Sequence, residues 1–259
     1  MNKPFAQLIF LGTGTGVPSP DRASPAIFLK LPETNVLMDL GPGTLRQLAK
    51  ISVSITAIDY ILLTHLHPDH CADLVPFLFG TRYPPYFKHR RPFYVLAGTD
   101  FASFYKTLTA LYGHWVELPE GLLNLLSLPQ DRLFKKKFPH FSLQSTPVRH
   151  IASSLGYRIT LPTRKVLVFS GDSDYSDALV NLAKNTDVLI LECSFPEGKK
   201  VEGHLTPSLA GRIARKAGAK QLILTHFFPE CQGQDLLVPC AREYNGNIML
   251  AEDFLTISI

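Results

Sequence analysis

The chain has 259 residues, 46% of them hydrophobic and 19% charged, a balance that excludes intrinsic disorder and supplies a sizeable core. No run approaches the roughly 18 to 20 uninterrupted apolar residues of a membrane span. The opening MNKPFAQLIFLGTG holds only a strand-length apolar run that enters a glycine turn, not a signal-peptide cleavage site, so a cytoplasmic protein with no membrane partner is expected. The formal net charge of +4 is compatible with phosphate-bearing substrates and identifies none.

In chain order, short runs rich in Ile, Leu, Val and Phe predict strands at 7–11, 26–31, 35–39, 59–63, 93–97, 141–148, 155–161, 165–170, 187–191, 221–225, 247–250 and 254–258. Helices are expected at 43–51, 71–79, 99–112, 175–184, 207–217 and 234–243. The helix at 207–217 is the clearest, with Thr206 placed to cap it, Pro207 in its first turn and Gly218 after its end. No linker composition divides the chain, so residues 1–259 read as a single domain. The strings DYILLTH (59–65) and QLILTH (221–226) are each an apolar strand ending in Thr-His and read as the trace of a duplicated αβ half.

Residues 113–140, interrupted by Pro119, Gly121, Pro129 and Pro139, are expected to form a lid or an edge insertion. Cys71, Cys193, Cys231 and Cys240 include no C-x-x-C pair and are expected as free thiols. Two basic clusters, 82–91 with interleaved aromatics and Lys135 to Lys137, read first as solvated loops. The first has two further readings, a polyanion contact or a homodimer face.

His65-Leu-His67-Pro-Asp69-His70 follows directly on an apolar strand and carries ligand-type side chains at most of its positions. No packing requirement produces that density. Imidazoles suit zinc, iron or manganese, and carboxylates bridge such ions, so a His-rich set with Asp suits a dinuclear site. H-x-H-x-D-H after a strand resembles the signature of the metallo-β-lactamase superfamily. The resemblance implies a further His, a bridging Asp and a last His, each at a strand end, and His150, Asp172 and His226 stand in that order. It assigns His65, His67 and His150 to one metal and Asp69, His70 and His226 to the other, with Asp172 shared. Two divalent ions are therefore expected, zinc by default, with manganese or iron as alternatives.

The opening L-G-T-G-x-G (Leu11 to Gly16) and Asp39-Leu-Gly41-Pro-Gly43 match the family as well. The alternating glycines lack G-x-G-x-x-G spacing, and Pro18 and Pro20 precede any helix, so no nucleotide cofactor is expected. They are expected instead to let the loop pass close to the site. Asp39 resembles the buried carboxylate that orients a ligand histidine. The implied fold is α/β, a four-layer αββα sandwich of two similar halves with the ligands on loops at one edge.

Two metals about 3.5 to 4 Å apart lower the pKa of a bridging water and offset charge on the attacked group, but supply no proton to the leaving group. Glu192-Cys-Ser-Phe195 and His204-Leu-Thr206 resemble the E-x-x-F and H-x-T elements of the ribonuclease Z-like phosphodiesterase branch. That resemblance implies His204 as general acid, Glu192 as its orienting partner, a metal-bridging hydroxide as nucleophile, and Asp69 as a ligand that also holds the nucleophile's proton. The expected substrate is a small-molecule or nucleotide phosphodiester, with RNA as a less favoured one. An aryl sulfate, lactone or thioester on the same scaffold is the alternative, and an iron redox enzyme stands further off.

Many ribonuclease Z enzymes insert a long tRNA-binding arm between the fourth metal-binding His and the bridging Asp. Here the stretch from His150 to Asp172 is too short for it, which counts against RNA 3′-end processing. Ser19-Pro-Asp-Arg22-Ala-Ser-Pro25 occupies the loop where that family carries a basic phosphate-binding stretch, leaving Arg22 to hold a phosphate.

Overall fold

Several apolar runs are buried at nearly every position, not at alternate ones, and such strands need cover on both faces. In the computed structural model, which describes residues 6–83 and 91–259, two seven-stranded sheets provide it. The first runs β14 (Thr256–Ser258), β1 (Gln7–Gly12), β2 (Ala26–Lys30), β3 (Asn35–Met38), β4 (Tyr60–Leu62), β5 (Phe93–Gly98) and β6 (Leu123–Leu128). The second runs β13 (Asn247–Leu250), β12 (Gln221–Thr225), β11 (Val188–Glu192), β10 (Val166–Phe169), β9 (Leu155–Thr160), β8 (Ser142–Pro147) and β7 (Phe134–Lys137).

Strand alternation divides the burial into three layers of contact. Phe10, Val36, Met38 and Leu62 meet Leu143, Tyr157, Ile190 and Ile223 between the sheets. Leu37, Ile61 and Leu63 pack with Leu48 of α1 (Thr44–Lys50) and Phe77 and Leu78 of α3 (Leu74–Thr81). Leu189, Leu191, Leu222 and Leu224 pack with Ile213 and Ala214 of α6 (Pro207–Ala217). Each fully buried Leu or Ile contributes about 1.5–3 kcal/mol. The result is the expected αββα sandwich.

In each sheet an antiparallel series gives way to parallel strands, from β3 to β6 and from β10 to β13. The halves therefore repeat one order, in which β4 corresponds to β11 and β5 to β12. The two Thr-His strings end β4 and β12, which are not equivalent places. The duplication exists in the topology, and the string match is not its trace.

The sheets lock together beside the end of β4. Leu155 N–H donates to Thr64 O at 2.9 Å, and the buried Tyr157 hydroxyl donates to Leu63 O.

Of the two readings of residues 113–140, the edge position holds and the lid does not. These residues supply β6 and β7, the outer strands of the two sheets. The sequence signal failed there because edge strands are half exposed and lack a clean apolar pattern. Lys135, Lys136 and Lys137 form most of β7, not a loop, and lysines on an edge discourage pairing with another chain. Of the run at 82–91, residues 84–90 lie outside the described residues. Arg82 donates to Glu117 O, and Arg91 pairs with Asp59 at 3.4 Å.

The helix expected at 71–79 begins earlier and is broken. Pro68, whose fixed φ suits a first helical position, starts the short α2 (Pro68–Cys71), and α3 follows. Thr206 makes no side-chain cap on α6; Glu197 accepts the Ser208 N–H at 3.2 Å instead. The cysteines are buried and free. No helix among the described residues is long and apolar enough to cross a membrane.

Candidate metal centre

Parallel strands of both sheets end on the same side, and their carboxyl ends deliver chemistry to one place, as is general in such sheets. Asp39 follows β3, Thr64 and His65 follow β4, Asp172 follows β10, Glu192 ends β11 and His226 follows β12. Asp39 and His226 have φ of 59° and 60°, a left-handed backbone that costs roughly 1–2 kcal/mol for a residue with a Cβ. The contacts those two side chains make offset that strain.

The two expected triads come together. Ligand atoms of His65, His67, His150 and Asp172 lie within 4.8 Å of one another, as do those of Asp69, His70 and His226. Asp172, nearly buried, divides its carboxylate between them. Oδ2 faces His150 Nε2 at 3.8 Å and His65 Nε2 at 4.0 Å, whereas Oδ1 faces His70 Nε2 at 3.2 Å and His226 Nε2 at 3.3 Å. Asp69 Oδ2 stands 3.6 Å from His226 Nε2 and 3.7 Å from His70 Nε2.

Hydrogen bonds behind the rings fix which nitrogen faces inward. His70 Nδ1–H donates to Asp39 Oδ2 at 2.8 Å, and His150 Nδ1–H donates to Gly203 O at 3.0 Å. The Thr64 hydroxyl spends its proton on Asp39 Oδ2 at 2.9 Å, so it accepts from His65 Nδ1–H at 3.1 Å. The Nε2 atoms of His65 and His150 are thereby left as lone pairs, and His67 Nδ1 lies 3.2 Å from the latter. Among the described residues, His65 Nε2 and Asp172 Oδ1 are buried with no hydrogen bond. Inward lone pairs on borderline nitrogens beside an unpaired carboxylate oxygen are the donor set of a divalent cation, and the residues fit one.

Electrostatics agree. Burial pulls His65 down to about 2, with the neighbouring His70 charge adding to the effect, which keeps that imidazole neutral. Burial also lowers His150. Burial would raise Asp172, but the His226 and His70 charges hold it well below the usual carboxylate range. Asp69 likewise falls to about 2, because the His226 hydrogen bond and the His70 charge outweigh burial. Burial works against a charged His70, yet Asp172 and Asp39 together carry its pKa well above the ordinary value. A cation entering the site displaces that proton.

Glu192 and His204 also meet. Glu192, buried, accepts from His204 Nδ1–H at 2.9 Å and Ser173 N–H at 3.0 Å on Oε1, and from Ser194 N–H at 3.0 Å and Leu205 N–H at 3.1 Å on Oε2. Those donors leave the carboxylate one orientation. Burial disfavours the imidazolium of His204, but the hydrogen bond and charge of Glu192, with Asp172 behind, raise its pKa above the ordinary value. A ring nitrogen of His204 lies within 4.8 Å of ligand atoms of Asp172 and His226.

Asp39 and Glu192 stand where the sequence reading put them, behind His70 and His204; other residues that hold these groups in place were passed over. Ser194 Oγ lies 2.9 Å from His226 Nδ1. Asp174 accepts from Lys200 Nζ at 2.7 Å and Gly203 N–H at 3.1 Å, so it anchors the loop that carries both the His150 acceptor and His204. Gly203 has φ +85°, and a Cβ there would stand 3.0 Å from His150 Nδ1, so the position requires glycine. The only local signal was the second Asp of G-D-S-D (171–174).

The Arg22 guanidinium leans inward over the Phe227 ring, and its Nη1 donates to Thr13 Oγ1 at 2.5 Å and Ala251 O at 2.8 Å, so one of its nitrogens serves the fold. Gly12 and Gly14 fit against the backbone and side chains of residues 22–24, and the loop does pass close to the site: Gly12 lines a cavity with His70, Asp172 and His226, and Gly16 lies beside Asp69.

Residues 34–227 match the family model described as a β-lactamase superfamily domain. The chain is 31% identical over 306 aligned positions to a ribonuclease Z of Anoxybacillus flavithermus, covering 98% of this chain and 97% of that one. It is 29% identical over 258 positions to the uncharacterized protein Rv1339 of Mycobacterium tuberculosis, covering 93% and 88%. Among solved structures, the short form of human tRNase Z has a TM-score of 0.78 at 26% identity, covering 98% of this chain and 99% of that one. The metallo-β-lactamase fold protein YhfI of Bacillus subtilis has a TM-score of 0.84 at 23% identity, covering 99% and 100%. The alignment with the ribonuclease Z, at 306 positions, is longer than this 259-residue chain. That relative therefore carries segments with no counterpart here.

Proposed function

The chain belongs to the metallo-β-lactamase superfamily, in its ribonuclease Z-like branch, and from that premise we propose that it is a dinuclear phosphodiesterase acting in the cytoplasm on small or nucleotide phosphodiesters. His65, His67 and His150 would hold one ion and Asp69, His70 and His226 the other, with Asp172 placed between the two sets. Zinc suits the imidazole-rich set, with manganese or iron as alternatives. When bound, such ions lower the pKa of a water at the site and neutralise charge on the oxygens of the ester.

The residues of the chain then divide the work. Asp69, the more open of the two site carboxylates, takes up the proton of the attacking water. His204, with Nδ1–H committed to Glu192, presents its other nitrogen to the leaving oxygen. As the P–O bond breaks, that nitrogen gives its proton to the departing alkoxide, and solvent restores it. The observation that carries the reading is the Glu192–His204 pair at 2.9 Å beside the divided Asp172 carboxylate. A metal-dependent esterase of activated substrates has no need of such a pair.

The names of the ribonuclease Z and tRNase Z relatives support a phosphodiester. The segment between His150 and Asp172 is consumed by β9 and β10, which argues against an RNA-gripping arm at that place.

A turnover panel on the metal-replete protein tests the proposal: a bis-aryl phosphate, an aryl sulfate, a 2′,3′-cyclic nucleotide, a lactone and a precursor tRNA. Phosphodiester cleavage is expected, abolished in Asp172→Ala. In His204→Ala, nucleoside esters should slow by about 10²–10⁴-fold and activated aryl esters far less. Turnover of the lactone alone would overturn it.

A further inference from the structure

Beside His204 and His226 the chain carries a feature that proton transfer does not require. Phe195 and Phe228 stack with centroids 4.8 Å apart and planes 16° from parallel. The Phe228 ring meets His204 edge-on at 5.9 Å and His226 at 5.7 Å. It is half-buried, and it lines a groove of about 430 Å³ with Val17, Pro20, Arg22, Gln232 and Leu236 among the other walls.

The charge of that groove limits its occupant. Among the described residues Arg22 is the only basic side chain lining it, and its Nη1 is held by Thr13 and Ala251 with the guanidinium over the Phe227 ring. Asp21 adds a carboxylate. The Asp21 carboxylate offsets the Arg22 charge, so a polyanion gains little net attraction there. A neutral planar group would find an aromatic ring at one end, apolar walls, and the amides of Gln232 and Gln234, which can both donate and accept. Base edges present donors and acceptors, and every base has a face that stacks.

Building on the phosphodiesterase reading, we propose that this groove is a nucleobase subsite, in which Phe228, backed by Phe195, stacks the base of the leaving nucleoside. The leaving side follows from Phe228 lying against His204, the group that protonates the leaving oxygen. Phe228 is a specificity-determining residue and takes no part in bond breaking.

Binding tests the subsite without turnover. Titration calorimetry of the metal-loaded protein compares adenosine 5′-monophosphate with ribose 5-phosphate. The nucleotide should bind about tenfold more tightly, the size of one stacked base, and the advantage should vanish in Phe228→Leu and persist in Phe228→Tyr. Equal affinities in the native protein would overturn the subsite, as would an advantage that Phe228→Leu leaves intact.

Turnover then tests the side. A dinucleoside monophosphate should exceed its analogue with an abasic leaving sugar by about tenfold in kcat/KM, carried in KM, and Phe228→Leu should erase the difference. Equal cleavage of the two would overturn the assignment. If no ester is cut while the nucleotide advantage persists, the phosphodiesterase reading fails and the base subsite stands.

Discussion

His70 donates its Nδ1–H to Asp39 Oδ2 at 2.8 Å, between two side chains almost wholly removed from solvent. The bond sets the tautomer that leaves Nε2 facing Asp172 and His226. Asp39 also accepts the N–H and hydroxyl of Thr64, so its carboxylate steadies His65 through Thr64 as well.

Asp39→Asn preserves shape and removes an acceptor. With its carbonyl turned to the Thr64 N–H, the amide NH₂ faces His70 Nδ1 and favours the tautomer with the proton on Nε2, where a metal must bind. Loss of such an outer carboxylate costs about 10–100-fold in metal affinity. Competition against a chromophoric chelator should read that loss, and an unchanged affinity would refute the orienting role.

The candidate metal residues were legible because imidazoles and carboxylates crowding one turn at a strand end answer no packing need. Of the framework behind them Asp39 was legible and the more distant supports were not. Asp253 accepts from the N–H and hydroxyl of Thr13, 240 positions away, and also from Ala23 N–H and Gln47 Nε2. A bond of that span leaves no local pattern. Edge strands β6 and β7 were hidden for the opposite reason, since half-exposed strands bordered by Pro and Gly look like loops. Local rules also placed a cap at Thr206 that tertiary contact gave to Glu197.

Metal removal should destabilise the fold as well as silence it. The chain buries His65 Nε2 and Asp172 Oδ1 without a hydrogen bond, and a ligand that binds only the folded state at 1,000 times its Kd adds about 4 kcal/mol. For a protein of this size that corresponds to about 8–16 °C in Tm. Thermal unfolding with and without a strong chelator should show the drop, and titration of the stripped protein should take up two equivalents. A Tm indifferent to chelation would contradict the donor geometry.

The Glu192–His204 pair has a pH signature. The general acid works only while protonated, and the raised pKa of His204 keeps it so above the ordinary value of about 6.5. The alkaline fall in kcat for a nucleoside ester should therefore lie above that value. Glu192→Gln keeps a hydrogen-bond acceptor but removes the charge that favours the imidazolium, so the fall should move toward lower pH. Activated aryl esters, whose leaving groups need no proton, should show no such limb. A profile identical in the variant and the native protein would detach Glu192 from the chemistry.

Tyr157 ties the second sheet to the end of β4, one residue before Thr64, through its hydroxyl on Leu63 O. The ring is fully buried between the sheets, so Tyr157→Phe keeps the packing and leaves one carbonyl without that donor. An unsatisfied buried acceptor costs about 1–3 kcal/mol, which should appear as a lower urea midpoint with an unchanged m-value. Because the freed carbonyl adjoins the turn that carries Thr64 and His65, metal affinity should weaken along with stability. Loss of stability at native metal affinity would show that Leu63 O serves the fold alone, and that Thr64 and Asp39 suffice to hold His65.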